Sequence, residues 1–189
     1  MTADATLAEL GNELRVALSS DAAFGEWYER TFPRVYGYVR GRAAADLTLA
    51  EDITQQTYVA AIAQRAAFDG RSDSVTWLCA IARHKLMDHF RRQDREERRH
   101  HRIVVHEIRV EEQGQSAAWS SVEEQELIAS ALRSLPALQR AVITLVALDG
   151  LSVAEAATFI GKSHGATQSL LARARDGFRR AWASEVAGV

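Results

Sequence analysis

The chain has 189 residues, a formal net charge of −2, 47% hydrophobic residues and 25% charged ones. Two prolines, a single cysteine and an abundance of Ala, Leu, Arg and Glu exclude a disulfide framework and a clustered-cysteine zinc site, and point to an all-α protein. No apolar run is long enough to span a bilayer and no basic-then-apolar leader opens the chain, so a cytoplasmic protein without membrane insertion is expected. The length suits two small domains of roughly 80 residues each.

In chain order, Leu7, Leu10, Leu14 and Leu18 mark a short amphipathic helix in an extension over residues 1–20. A helix starts after Ser20-Asp21 and carries Phe24, Trp27 and Tyr28, and Pro33 suits the first turn of the next one, with Val35, Tyr36 and Val39 inward. Thr48 is a cap for a further helix with Glu51 and Asp52 in its first turn and Ile53, Thr57, Ala60, Ala61 and Gln64 along one flank. Phe68 to Ser74 reads as a polar loop with one aromatic at its entrance, followed by a long helix from about Val75 to Arg99 with Leu78, Ile81, Ala82, Leu86 and Phe90 inward. Cys79, among apolar residues, reads as a small core residue and not a reactive thiol.

Residues 101–120 lose any sustained period and are rich in Glu, Gln, Ser and Gly, which reads as an acidic flexible linker. Ser121 with Glu124 forms a capping box for a helix carrying Leu127, Ile128, Ala131 and Leu132, and Pro136 opens another that ends at Asp149-Gly150. The expected layout is thus a domain over 21–100, the linker, and a four-helix domain over 121–185.

That second domain closes with a helix-turn-helix at 151–180. Ser152 and Glu155 make a capping box, Val153, Ala156, Ala157 and Ile160 face inward, and Gly161 ends the helix where a left-handed backbone is favoured. The second helix, from about His164 to Trp182, buries Thr167, Leu171, Ala174, Phe178 and Trp182. It presents His164, Gln168, Ser169, Arg173, Arg175 and Arg179 outward. Two short helices at a fixed angle place side chains in the DNA major groove. The long helix offers a second nucleic-acid surface, because Arg83, Lys85, Arg91, Arg92, Arg95, Arg98 and Arg99 follow an aromatic-bearing loop and Trp77. Cations hold phosphates while rings receive unstacked bases. No nucleophile sits with a base, and the histidines lack metal-ligand spacing, so neither catalysis nor a metal or cofactor is expected.

Several of these segments, in this order, resemble the extracytoplasmic-function (ECF) sigma factors, group IV of the sigma-70 family of bacterial RNA polymerase. Ala50-Glu51-Asp52-Ile53-Thr54-Gln55-Gln56-Thr57-Tyr58 is similar to that family's Ala-Glu-Asp-Leu-Val-Gln-Glu-Val-Phe, and Phe68–Arg92 resembles its second conserved region. Leu132-Arg133-Ser134-Leu135-Pro136 with Gln139-Arg140, and Leu151–Ala157, resemble its fourth. The resemblance implies a transcription initiation factor that binds core RNA polymerase, through clamp helices of the largest subunit and the flap of the second-largest, and directs it to promoter DNA. It implies core contacts at Glu51, Asp52, Gln55, Gln56 and Tyr58. It implies capture of the −10 element by Phe68, Asp69, Gly70, Arg71, Ser72, Trp77, Arg83, Lys85, Asp88, Arg91 and Arg92. The −35 contacts it implies are Ser163, His164, Gly165, Gln168, Ser169, Arg173 and Arg175. An anti-sigma factor is an expected partner, and Glu107, Glu111 and Glu112 would let the linker occupy surface meant for RNA.

The recognition helix departs from the family's Gly-Thr-Val-Lys-Ser-Arg-Leu. Here Gln168 stands for a lysine, Leu170 for an arginine and Thr167 for a valine. Glutamine pairs with the major-groove edge of adenine, so Gln168 is the expected base reader. Thr167, at a buried position, needs a backbone partner for its hydroxyl. Two other readings fit parts of the pattern: a stand-alone helix-turn-helix regulator, which leaves 50–58 and 68–92 unexplained, and a helical protein-interaction module.

Overall fold

The computed structural model describes residues 16, 17, 19–69, 71–100 and 122–187. Expectations for the N-terminal leucine stripe, Gly70, the linker with its glutamates, and the Ser121 cap lie outside these residues. Among the described residues every regular element is helical. They fall into two compact units, Met1–Leu86 and Met87–Val189, and the division runs through the middle of the long helix.

In the first unit, helix α1 spans Asp21–Arg42, with Ser20 as its N-cap accepting from the Ala23 N–H. Pro33 lies inside this helix and does not begin another. The stripe Trp27, Thr31, Val35 and Val39, all buried, keeps one face continuous across the proline. That burial outweighs the roughly 3 kcal/mol that an interior proline costs. An aromatic ridge of Phe24, Tyr28, Phe32 and Tyr36 runs beside it, each ring 5.2–6.2 Å from the next.

The chain leaves α1 through Ala44 and Ala45, both with positive φ (55° and 56°), and enters α2, Leu47–Ala63. The cap is Asp46, whose carboxylate accepts from the Leu49 N–H at 3.0 Å, so Thr48 sits within the helix. Glu51 and Asp52 consequently fall in the second turn, where the helix dipole acts on them weakly. Ile53, Thr54, Thr57, Tyr58, Ala60 and Ala61 are buried. A short turn at Arg65–Ala67 leads to Phe68 and the loop before α3, Ser74–His100. Leu78, Ala82 and Leu86 of α3 complete the first core.

The second unit takes the rest of α3 with α4 (Val122–Arg133), α5 (Ala137–Ile143), a π-helical turn (Thr144–Leu148), α6 (Val153–Ile160) and α7 (His164–Ala187). Helix α7 packs on α4, α5 and α6. Pro136, at the N-cap of α5, has no side chain to satisfy the exposed amides. Glu97 of α3 does so, accepting from the Ala137 N–H at 3.2 Å. One turn on, the buried Arg140 donates to Gln93 Oε1 at 2.9 Å and lies 5.1 Å over the Phe90 ring. Gly177 lets α7 approach closely, because a Cβ there would stand 2.7 Å from Leu135 Cδ2.

Candidate nucleic-acid interface

The entrance to α3 is built from inside outward. Phe68 is buried, 5.0 Å from the half-buried Trp77, in a cluster with Trp27, Tyr58, Val75 and Leu78. The aromatic at the loop entrance is therefore an anchor, and this corrects its expected place on the −10 surface: a ring 9% exposed cannot stack on an incoming base. Asp69 and Arg71 stay exposed in a local turn, where Asp69 accepts from the Arg71 N–H at 3.1 Å. Ser72 is half-buried. Asp73, which sequence reasoning passed over, caps α3: it accepts from the N–H groups of Val75 and Thr76 at 3.0 and 3.1 Å and from the Thr76 hydroxyl at 2.6 Å. The Thr76 hydroxyl bond is the main reason its carboxyl titrates below the usual range, with the two amides and Arg34 adding to it against partial burial.

Along α3, Trp77, His84, Asp88, Arg91, Arg92 and Arg95 recur at helical steps and share one side, with Lys85 at its margin. Asp88 pairs with Arg91 and its carbonyl accepts from Arg92 Nε, so two of the cations are steered by one residue. Arg83 stands apart from this group. Its Nε donates to Tyr38 Oη at 3.2 Å, and the Tyr38 ring carries Arg42 at 3.6 Å on its face. Arg34, Arg42 and Arg83 all bear electrostatically on Cys79, whose thiol burial nevertheless pushes up, so it stays protonated at neutral pH. The α1 residues Tyr38 and Arg42 thus form a separate basic cluster with Arg83. The one signal for them in the sequence is the four-residue spacing of Arg34, Tyr38 and Arg42.

Helix α2 presents Glu51, Asp52 and Gln55 outward, with Gln56 half-exposed and donating to Asp52 Oδ2 at 2.8 Å. Tyr58 faces the other way. It is buried edge-on against Trp27, and its hydroxyl shares a 2.8 Å hydrogen bond with Thr31. Burial drives its pKa up to about 12. The expected contact at Tyr58 is corrected accordingly: the side chain belongs to the core. Val59, 64% exposed, lies next to Gln55 and Gln56 on the outer side and was not singled out from the sequence.

In the second unit the helix-turn-helix forms as its caps require. Ser152 Oγ accepts from the Glu155 N–H at 3.3 Å while Glu155 accepts from the Ser152 N–H at 2.8 Å. Gly161 adopts φ 67° and the Lys162 N–H donates to the Ala157 carbonyl at 3.1 Å. Ser163 starts α7, accepting from the Ala166 N–H at 3.3 Å, and its carbonyl takes the buried Thr167 hydroxyl at 2.9 Å. That bond gives Thr167 the backbone partner its position needs. Leu170, where the family has arginine, is buried on the inner side. His164, Gly165, Gln168, Ser169 and Arg173 are exposed and Arg175 is half-exposed. Ser169 is turned back, donating to the Gly165 carbonyl at 3.1 Å, so Gln168 and His164 stand forward as the polar groups of the first two turns.

No helix among the described residues is long and apolar enough to cross a membrane. Residues 27–96 match the family model "Sigma-70 region 2", and residues 125–176 match "Sigma-70, region 4". A probable RNA polymerase sigma-C factor of Mycobacterium bovis is 35% identical over 132 residues, covering 70% of this chain and 69% of that protein. The ECF RNA polymerase sigma factor SigF of Caulobacter vibrioides is 33% identical over 153 residues, covering 81% and 82%. The ECF sigma factor BldN of Streptomyces coelicolor is 34% identical over 158 residues, and this chain spans 57% of its length. Among solved structures, the sigma factor RpoE in complex with the anti-sigma factor NepR from Bartonella quintana aligns with a TM-score of 0.50 at 25% identity, over 84% of this chain and 95% of that one. Both conserved regions are present in order on an all-helical scaffold, and the chain belongs to the ECF sigma factors of the sigma-70 family, non-enzymatic initiation factors that direct RNA polymerase to promoters.

Proposed function

We propose that residues 21–100 engage core polymerase and the −10 element, that 121–185 hold the −35 duplex, and that 101–120 link the two. The outer side of α2, Glu51, Asp52, Gln55 and Gln56, meets the clamp helices of the largest subunit, and Val59 adds an apolar contact beside them. The second domain meets the flap of the second-largest subunit. The −10 strand lies along the Asp69–Ser72 loop and the side of α3 bearing Trp77, Asp88, Arg91 and Arg92, with Lys85 at its edge. Arg83 contributes with Tyr38 and Arg42 at a neighbouring patch. On the −35 side, His164 and Gln168 meet base edges, Ser163 caps the helix start with Ser169 beside Gln168, Gly165 allows close approach, and Arg173 and Arg175 take phosphates. The observation that carries this reading is the exposed, uncharged front of α7 set on a correctly capped helix-turn-helix. The protein works in the cytoplasm, where polymerase and promoters are, and is held in check by an anti-sigma factor, as the RpoE relative is found bound to one.

Run-off transcription from genomic fragments, with purified core polymerase and this chain, tests the proposal. Discrete start sites sharing −35 and −10 sequences are expected only when both are present. A protein that footprints a palindrome tightly without polymerase would be a stand-alone regulator instead.

A further inference from the structure

Helix α7 is sparing with charge where a DNA-reading helix is usually generous. From His164 to Ala172 it carries no lysine or arginine, and its first cation is Arg173. At about 1.5 Å per residue that front stretch advances roughly 13 Å, close to the ~12 Å width of the major groove. A helix entering by its N-terminus therefore crosses the groove on uncharged side chains. The cations from Arg173 onward lie at or beyond the phosphate wall, where they can meet backbone but not bases.

Those rear cations are not equally available. Asp176 falls on the same outward stripe as Ser169, Ala172, Arg173 and Arg180, at steps of three and four. Its carboxylate takes Arg179 Nη2 at 3.0 Å and Arg180 Nη1 at 3.5 Å, and only 13% of its side chain is exposed. It pairs with both guanidiniums, so three side chains present one net positive charge in place of two. The whole stretch 122–187 balances seven acidic residues against seven basic ones, which leaves no surrounding surplus to compensate.

We infer that Asp176 is a built-in counter-charge that withholds Arg179 and Arg180 from the −35 backbone, so that this factor holds its −35 element mainly through base contacts. The inference rests on the −35 reading of α7. It makes Asp176 a tuning residue: removing its charge tightens binding to every −35 sequence without choosing among them.

The test uses polymerase reconstituted with the full chain. Promoter affinity is followed by fluorescence anisotropy between 50 and 200 mM salt (a range of about fourfold, over which counterion release is readily read). Wild type is compared first on a promoter and on the same promoter with a scrambled −35 element; equal binding would overturn the −35 reading itself, before any variant is examined. Given discrimination, Asp176→Asn is expected to tighten binding several-fold at the low-salt end and to steepen the log–log salt slope by about 0.9 to 1.8, one to two added phosphate contacts. Asp176→Glu keeps the charge and should keep the wild-type slope. In an Arg179→Gln/Arg180→Gln background, Asp176→Asn should no longer steepen it. A wild-type slope for Asp176→Asn, or equal steepening without the two arginines, would overturn the inference, whereas a purely helix-stabilising role would shift melting temperature and leave every slope unchanged.

Discussion

Helices α3 and α7 are both arginine-bearing and, in the proposed function, both begin at a turn that faces nucleic acid, yet their entrances are opposite in kind. The way into α3 is anchored by rings: Phe68 is buried under Trp77, Asp73 caps the helix, and the cations follow from Arg83 onward. The way into α7 is a three-residue turn, Gly161 to Ser163, with polar and uncharged side chains exposed immediately after it. A single strand must be drawn out of a duplex and held by its phosphates, which calls for a stiff, positive surface. A duplex is read intact through base edges, which calls for directional hydrogen bonding groups. Under the proposed function, the two helix starts divide melting and reading between them.

The anchored entrance breaks most visibly. Phe68→Ala should cost about 3–5 kcal/mol of stability, read by chemical denaturation, with Phe68→Leu costing under about 1.5 kcal/mol. Were Phe68 a base-stacking residue instead, stability would hold and only open-complex formation would fall. The reading entrance should lose selectivity: Gln168→Ala removes about 1–3 kcal/mol of discrimination at one −35 base pair, measured by polymerase binding to single-substitution promoters. Equal weakening on every promoter would show that Gln168 touches only backbone.

Asp73→Ala should cost about 1 kcal/mol through the lost cap, seen as a lower melting temperature. Because the Asp73 carboxyl is held below its ordinary value in the folded protein, its contribution is present above the ordinary carboxylate range and disappears as pH falls through the depressed value. Wild type and the alanine variant should therefore converge in acid. The smallest effect is at the other end of the scale. Tyr58, raised to about 12, stabilises fully below pH 10 and progressively less as pH climbs through 12. Tyr58→Phe should flatten that alkaline loss at a neutral-pH cost of about 1 kcal/mol, and leave polymerase binding untouched.

What could be read from the sequence was whatever is decided locally. The capping box at Ser152, the left-handed Gly161 and the inward stripe of α3 follow from spacing alone, and each forms. Tertiary contacts decided the rest. The aromatic positions at 58 and 68 carry the same local signature whether they face solvent or core; Trp27 and Thr31, distant in sequence, take Tyr58 inward, and Trp77 across the loop takes Phe68. Pro33 reads as a helix start until the ridge from Phe24 to Tyr36 binds both sides of it into one helix. Asp46 and Thr48 are both competent caps, and the left-handed pair at Ala44 and Ala45 completes the turn just ahead of the first. The junction of Tyr38 with Arg83 spans 45 residues and has no local trace.

The π-helical turn at Thr144–Leu148 has a consequence for how this part of the chain can change over time. Its Asp149 N–H reaches back five residues to the Thr144 carbonyl at 3.1 Å, one residue further than an α-helix allows. The buried Thr144 hydroxyl at its start has no hydrogen-bond partner among the described residues. Deleting one position here would close the wide ring to an ordinary one, while Gly150, at φ 68°, would still redirect the chain into α6. The segment is thus a length reserve: a place where the chain can lose a residue and keep the helix-turn-helix downstream in register.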